Sequence, residues 1–176
     1  MKKEPFSPSV WAVLHFLLQH SEKELIDAEI ASEIDSIKKS SVHIALKKLA
    51  EMNILTRTPR GRMILNKLND TAYVNQLKIM SNLIEVEELM EKIKPFCEKI
   101  ILFGSRANGS NTSESDFDLF CISTKPEKIR KIIANSSIAE STQLILKTPE
   151  EMLSFSDDEP VLNDEIKKGI TIWERE

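Results

Sequence analysis

Apolar residues in the first seventy positions recur at the spacing of short amphipathic helices. The pattern predicts one helix over residues 8–20 and a second over 24–35, with Asp27 as its N-cap. A third is predicted over 38–52, where apolar side chains fall at helical spacing along one face. Two β-prone runs then flank a turn signal at 58–61, which predicts a hairpin.

A single long helical pattern follows over residues 71–95 and ends at Pro95. Its apolar positions cover more of the surface than one narrow stripe, so the helix must bury more than one face. Two kinds of partner remain open at this stage. The helix is either a strut between two domains of one chain or the interface of a homodimer.

From residue 98 the pattern changes to strand, loop, strand, helix and strand, which predicts an α/β domain with a mixed sheet. The strands are predicted at 99–103, 116–123 and 142–148, a helix at 126–138, and a last strand after Gly169. The predicted fold class is therefore α+β. The predicted domains are 6–70, a connecting helix at 71–95, and 96–176.

Composition limits the class of protein. The 176 residues include 41% hydrophobic and 30% charged side chains, which is ordinary for a globular protein, and no apolar run approaches the length of a membrane span. The apolar stretch near the N-terminus keeps a helical period, which favours a folded helix over a signal peptide. Cys97 and Cys121 lack metal-ligand spacing and are expected to be buried, reduced thiols. We therefore expect a cytoplasmic protein.

Charge is distributed unevenly along the chain, although the net charge is only −4. Residues 1–70 carry 11 Lys/Arg and 9 Asp/Glu, whereas residues 71–176 carry 13 and 19. Between residues 36 and 67, only Glu51 opposes a run of cations. Such asymmetry indicates two parts with different partners.

The sequence ILFGSRANGSNTSESDFDLF, residues 101–120, carries the candidate chemistry. Asp116 and Asp118 lie two apart in a predicted strand, so their carboxylates project from the same face. Two neighbouring carboxylates repel each other unless a cation lies between them, and Mg²⁺ prefers such oxygen ligands. Gly104 and Ser105, directly after a strand, would let backbone N–H groups approach a phosphate, and Arg106 could add positive charge. The alternative is a solvated strand edge without a ligand.

The N-terminal pattern resembles a winged helix-turn-helix DNA-binding domain over roughly residues 8–68. That resemblance implies that the helix at 38–52 enters the major groove and that the basic hairpin contacts phosphate or the minor groove. The alternative is a helical module with a solvated basic face that contacts only proteins. The candidate DNA-binding residues are Lys38, Lys39, Ser40, Ser41, His43, Lys47, Lys48, Arg57, Arg60 and Arg62.

The motif LFGSRANGSNTSESDFDL resembles the signature of the small DNA polymerase β-type nucleotidyltransferases, over about residues 95–176. The resemblance implies nucleotidyl transfer from ATP or another NTP, with Asp116 and Asp118 as catalytic residues that hold Mg²⁺. It also implies that Gly104, Ser105, Arg106 and Ser115 bind the nucleotide.

The sequence departs from that family at one position. A third carboxylate is expected on the next strand, but Gln143 stands there, and Glu140 precedes the strand. Glutamine cannot act as a base, so two hypotheses remain. One is a nucleotidyltransferase that modifies an acceptor, such as an antitoxin acting on a helical partner toxin. The other is a transcription regulator or antitoxin whose domain binds nucleotide with weak or no catalysis.

Overall fold

A computed structural model describes residues 6–175. The chain separates into two compact units, one ending at Ser81 and the other beginning at Asn82. This boundary lies inside a long helix, α4, over Ala72–Ile93. The helix predicted at 71–95 is therefore present, and its two halves belong to different units.

The first unit combines helices with a small antiparallel sheet, in which β3 (Met63–Leu68) lies between β1 (Leu25–Ile26) and β2 (Leu55–Arg60). The predicted helices and hairpin are confirmed, except that the second helix is shorter. Residues 25 and 26 pair instead with β3 as a short strand. The elements are α1 Pro8–Gln19, β1 Leu25–Ile26, α2 Asp27–Glu33, α3 Lys39–Glu51, β2 Leu55–Arg60 and β3 Met63–Leu68.

The apolar residues that recur at helical spacing in the first unit form its core. Leu14, Ile30, Leu46 and Leu49 are fully or almost fully buried, each on the face that the sequence pattern assigned to the interior. One local prediction was wrong. Asp27 is the first residue within α2 rather than its N-cap, which is Ile26.

The second unit contains a four-stranded mixed sheet, with the strands in the order β6 (Thr142–Lys147), β5 (Phe117–Ile122), β4 (Lys99–Phe103) and β7 (Ile170–Glu174). Strands β5 and β6 are parallel and the other pairs antiparallel, which confirms the predicted mixed sheet. Short 3₁₀ turns occur at Lys94–Phe96 and Glu151–Leu153. The elements are β4 Lys99–Phe103, α5 Gly104–Asn108, β5 Phe117–Ile122, α6 Pro126–Ala134, β6 Thr142–Lys147, α7 Phe155–Asp158, α8 Pro160–Lys167 and β7 Ile170–Glu174.

Alternation along the strands covers both faces of this sheet. Phe117 and Leu119 belong to a buried cluster on one face, which also contains side chains of α4 and α6. Phe120 belongs to a separate cluster on the other face, with Phe155 of α7 and Ile166 of α8. Because strand side chains alternate, Asp118 shares the face of Phe120.

Neither disulfides nor membrane-spanning helices occur in the part of the chain that the structure describes. Cys97 and Cys121 are both free and buried, as the sequence predicted. Among residues 6–175, no helix combines the length and the apolar character needed to cross a membrane.

Candidate functional site

The end of strand β4 forms one wall of the site. Phe103 pairs with Asp118 across the antiparallel ladder, so the next residue, Gly104, lies beside the Asp118 side chain. Gly104 has a φ of 69°, in the left-handed region that favours glycine. A Cβ at this position would lie only 2.2 Å from Oδ2 of Asp118. Glycine is therefore required here both by the backbone and by the carboxylate beside it.

Asp116 and Asp118 lie two residues apart at the start of β5, and both are half-buried. Phe117 and Leu119, between and after them, are fully buried on the opposite face, as the alternation predicted. Burial raises the pKa of Asp118 above its ordinary value, and the negative charges of Asp116 and Glu165 raise it further. The charge of Arg106 opposes this shift. The surroundings of Asp118 thus carry an excess of negative charge that a cation would relieve.

Gln143 occupies the position beside the two carboxylates. It pairs with Asp118 in the parallel register of β5 and β6, which places it on the neighbouring strand. Its Nε2 donates a hydrogen bond of 2.9 Å to Oδ2 of Asp116. Glu140 precedes β6 and, together with Asp116, lines a cavity of about 670 Å³. The nearest side chain on the adjacent strand is therefore an amide, and Glu140 faces the same space from the loop.

Ser105 and Ser115 help to fix the loop between β4 and β5. The Ser105 carbonyl accepts hydrogen bonds from the backbone N–H groups of Gly109 and Ser110. The Ser115 hydroxyl accepts a bond of 3.0 Å from the backbone N–H of Thr112. A second cavity, of about 330 Å³, is lined by Gly104 and Ser105.

Arg106 lies inside the second unit rather than toward that cavity. Its guanidinium donates to the Ser115 carbonyl at 2.9 Å and to Oδ1 of Asn82 at 3.1 Å. It also lies 3.8 Å from the ring centre of Phe117 and 3.7 Å from a carboxylate oxygen of Glu85. These contacts fasten the loop before Asp116 to helix α4.

Two residues that the sequence analysis missed line the smaller cavity. Glu165 and Lys168, at the end of α8, share it with Gly104 and Ser105. Both are exposed. The sequence signal that could have revealed them is Gly169, because a glycine directly before the last strand lets the preceding residues approach β4 closely.

The carboxylates of the site fit a magnesium ion that takes its other ligands from the substrate. Within residues 6–175, no group of three or more His, Cys, Asp or Glu side chains is arranged to hold a metal ion. Asp116 and Asp118 supply two carboxylates on one face, however, and Mg²⁺ is commonly held by one or two carboxylates together with substrate phosphates.

The candidate DNA-binding residues fall into two groups in the first unit. Ser41, His43 and Arg57 are half-buried, and the latter two contact Asp27. The others are exposed on or before α3 and around the hairpin turn: Lys38, Lys39, Ser40, Lys47, Lys48, Arg60 and Arg62.

Asp27 forms the centre of a polar cluster under α3 and the hairpin. Arg57 Nη2 donates to both carboxylate oxygens, at 2.9 and 2.7 Å, and Asn66 Nδ2 donates to Oδ1 at 2.8 Å. His43 Nδ1 lies 2.8 Å from Oδ2. Burial acts to raise the pKa of Asp27, but hydrogen bonds from Asn66, His43 and Arg57 together hold it below its ordinary value of 3.8.

Comparison with known protein families gives a match that covers most of the second unit. Residues 85–176, just over half of the chain, match the family model described as polymerase beta, nucleotidyltransferase. No curated protein matches the sequence. The Archaeoglobus fulgidus protein AF1382 is similar in structure, with 21% identity and a TM-score of 0.42 over 48% of this chain and 92% of that one. A candidate nucleotidyltransferase from Sulfolobus solfataricus shows 20% identity and a TM-score of 0.35 over 61% and 90%. These two similarities are too low to support a conclusion about this chain.

Proposed function

Because the chain belongs to the polymerase β nucleotidyltransferase family, we propose that it transfers a nucleotidyl group from ATP or another NTP to an acceptor hydroxyl. One observation carries the proposal. Asp118 lies directly against Gly104, which with Ser105 forms the turn at the start of α5 (the Gly-Ser turn), and Asp116, one residue before β5, is close enough to raise the pKa of Asp118. Two carboxylates suited to bind Mg²⁺ and a Gly-Ser turn suited to bind phosphate thus lie together at one edge of the sheet.

The proposed reaction balances as a displacement at phosphorus. The acceptor oxygen forms a bond to the α-phosphorus of the nucleotide, and the bond from that phosphorus to the bridging oxygen breaks. Pyrophosphate leaves with the electron pair of the broken bond, and the hydroxyl proton passes to solvent or to a carboxylate. Gly104 and Ser105 bind the terminal phosphates, and Ser115 supports the loop that carries Asp116.

Asp116 and Asp118 would hold Mg²⁺, which neutralises negative charge on the phosphates and thereby favours the displacement. The raised pKa of Asp118 supports this assignment, because burial and neighbouring negative charges outweigh the opposing charge of Arg106. The two carboxylates themselves orient the nucleotide beside the Gly-Ser turn.

Gln143 favours a second candidate function, a regulator or antitoxin that binds nucleotide and reacts slowly. The amide donates to Asp116, so it orients this carboxylate, but it cannot accept the proton of the acceptor hydroxyl. A helical partner protein, such as a toxin, would be either the slow acceptor or a bound ligand. In this candidate, nucleotide occupancy rather than turnover transmits the signal.

We further propose that the first unit binds DNA as a winged helix, in the cytoplasm. Support comes from the exposed cations Lys47 and Lys48 on α3 and Arg60 and Arg62 at the hairpin turn. Exposed lysines and arginines on a helix and an adjacent hairpin are suited to phosphate contacts along one duplex. A homodimer would present two such units to paired half-sites.

The central test uses ATP labelled at either the α- or the γ-phosphate, incubated with Mg²⁺, the full chain and candidate acceptor proteins. Nucleotidyl transfer places the α-label in the product and the γ-label in pyrophosphate only. Asp116→Asn and Asp118→Asn should each abolish the labelled product. Magnesium-dependent ATP binding without any labelled product would favour the regulator, and an absence of binding would exclude both candidates.

A further inference from the structure

The register between β4 and β7 determines what lies opposite the Gly-Ser turn. Ile170 pairs with Leu102 in an antiparallel ladder. One step further in the same register places Gly169 opposite Phe103, and a second step places Lys168 opposite Gly104. The last residues before β7 therefore meet the first residues after β4 at the same edge of the sheet.

Gly169 makes this approach close. A Cβ at this position would lie 2.6 Å from the Leu102 carbonyl oxygen and 2.9 Å from Cβ of Phe103. Any other residue would push the end of α8 away from β4. The absence of a side chain at Gly169 thus allows Lys168 to lie beside the turn, where it remains exposed.

Lys168 lines the cavity that Gly104 and Ser105 also line, and it is the only cation among the described residues that do so. No ion pair to Lys168 is present within residues 6–175, whereas its neighbour Lys167 lies 3.7 Å from Asp164. Glu165 is the one carboxylate in the lining, so an anion in this cavity would meet one attractive and one repulsive charge.

Arg106 does not supply a cation to this cavity, because its guanidinium makes hydrogen bonds inside the second unit. It is only 7% exposed, and Asn82 and the Ser115 carbonyl accept its hydrogen bonds. A side-chain cation that contacts a triphosphate at the Gly-Ser turn, in addition to Mg²⁺, must therefore be another residue.

We propose that Lys168 is that side chain and binds the terminal phosphates of the nucleotide. The assignment rests on the proposed function, since it uses the same phosphate site. It gives the site a specificity for triphosphates, because Lys168 lines the cavity at Gly104 and Ser105 and is not among the residues that line the cavity beside Asp116. The lysine ammonium is a compact point charge that is well suited to bind phosphate.

The test compares Lys168→Ala with Lys167→Ala in the full chain. Titration calorimetry with Mg²⁺ should use ATP, AMP and tripolyphosphate, which has neither base nor sugar. Lys168→Ala should weaken ATP and tripolyphosphate binding about tenfold or more and leave AMP binding within about twofold. Lys167→Ala should bind all three ligands as the wild type does, and Lys168→Arg should retain most of the affinity for ATP.

The possible failures are distinct. Equal binding of ATP by the wild type and by a folded Lys168→Ala variant would overturn the role of Lys168 and leave the nucleotide site intact. Equal weakening of ATP and AMP would also overturn it, because the charge would then not act on the terminal phosphates. If the wild type binds neither ATP nor tripolyphosphate, the proposed function fails as well. Thermal unfolding checks that each variant is folded.

Discussion

Gln143 donates a hydrogen bond of 2.9 Å to Asp116, from the strand position where a third carboxylate is expected. The bond fixes the orientation of Asp116 without adding a negative charge or a base. Among these three neighbouring side chains, two can bind a cation strongly and one can only position its neighbour. The rate of nucleotidyl transfer at this site therefore depends on how much catalysis is lost when an amide stands in place of the third carboxylate.

Replacing Gln143 with Asp should increase nucleotidyl transfer. A carboxylate at this position can accept the hydroxyl proton, and a positioned base typically contributes a factor of about 10² to 10⁴ in rate. We expect at least about a tenfold increase in labelled product per unit time. Gln143→Ala is the matched control, since it removes the hydrogen bond to Asp116 without adding a base. A rate for Gln143→Asp at or below the wild-type rate would show that the amide is not what limits transfer.

Replacing Asp118 with Asn should stabilise the metal-free protein, because burial and the charges of Asp116 and Glu165 disfavour the ionised carboxylate. We expect the melting temperature to rise by about 2 °C. Millimolar Mg²⁺ with ATP should raise the melting temperature of the wild type, since a ligand stabilises the state that binds it, but not that of the variant. Asp157→Asn, at an exposed position far along the chain, should behave as the wild type in both respects. Metal stabilisation that survives in Asp118→Asn would remove Asp118 from the ligand set.

Gly104 and Gly61 provide a matched pair for the turn at the site. Both have positive φ, 69° and 63°, but a Cβ at Gly61 would have no neighbour within 4 Å. Gly61→Ala should therefore cost only about 1 kcal/mol from backbone strain. Gly104→Ala should cost more and should abolish nucleotide binding, because its Cβ displaces the Asp118 carboxylate. Urea unfolding and ATP titration of both variants measure the difference. Equal effects on stability with binding retained would contradict the close contact with Asp118.

Asp27 should make stability depend on pH in the acid range. Its pKa is lowered in the folded state, so the ionised form contributes stability that is complete above the ordinary value of 3.8 and is lost as the pH falls through the folded value. Asp27→Asn should be less stable than the wild type by about 2 kcal/mol at pH 7, and the difference should shrink below about pH 4. Urea unfolding between pH 2.5 and 7 checks this, with the exposed Asp35→Asn as control. A difference that does not change with pH would show that the charge of Asp27 is unimportant.

Replacing Lys47 and Lys48 together with Ala should weaken DNA binding and its dependence on salt. Each lost phosphate contact lowers the slope of log affinity against log salt by about 1, so the pair should lower it by about 2. Fluorescence anisotropy with a labelled duplex between 50 and 200 mM salt would measure both quantities. Lys131→Ala, at an exposed position on α6, is the control for general charge effects. Affinity that ignores both salt and the double substitution would favour a protein-contact role for the first unit.

The sequence predicted the elements well because helical and strand periods are local. It also predicted that Gln143 lies on the strand beside the two aspartates, and the pairing of Gln143 with Asp118 confirms this. Asp27 was misjudged because its partners Arg57 and Asn66 come from a hairpin 30 and 39 residues later. In the sequence alone, an aspartate that caps a helix and one that belongs to a partly buried ionic cluster look alike, because the cluster forms only when the hairpin packs against the helix.

Arg106 and Lys168 show the same limit at the candidate site. The direction of Arg106 depends on Asn82 and Glu85, which lie on a helix more than twenty residues earlier. Lys168 reaches the Gly-Ser turn only through the β4–β7 register, and a run of two lysines before a glycine does not reveal which of them faces the cavity. The roles of both residues depend on contacts between distant parts of the chain, which hydrophobic periodicity does not reveal.

The unit boundary inside α4 limits how the two parts of this protein can be separated or exchanged. A fragment that began at residue 96, as the sequence pattern favours, would lack Val86 and Met90 from its core and both α4 partners of Arg106. Such a fragment would expose apolar surface and aggregate. A fragment that keeps the core of the second unit would therefore have to begin near Asn82, inside α4, rather than at residue 96.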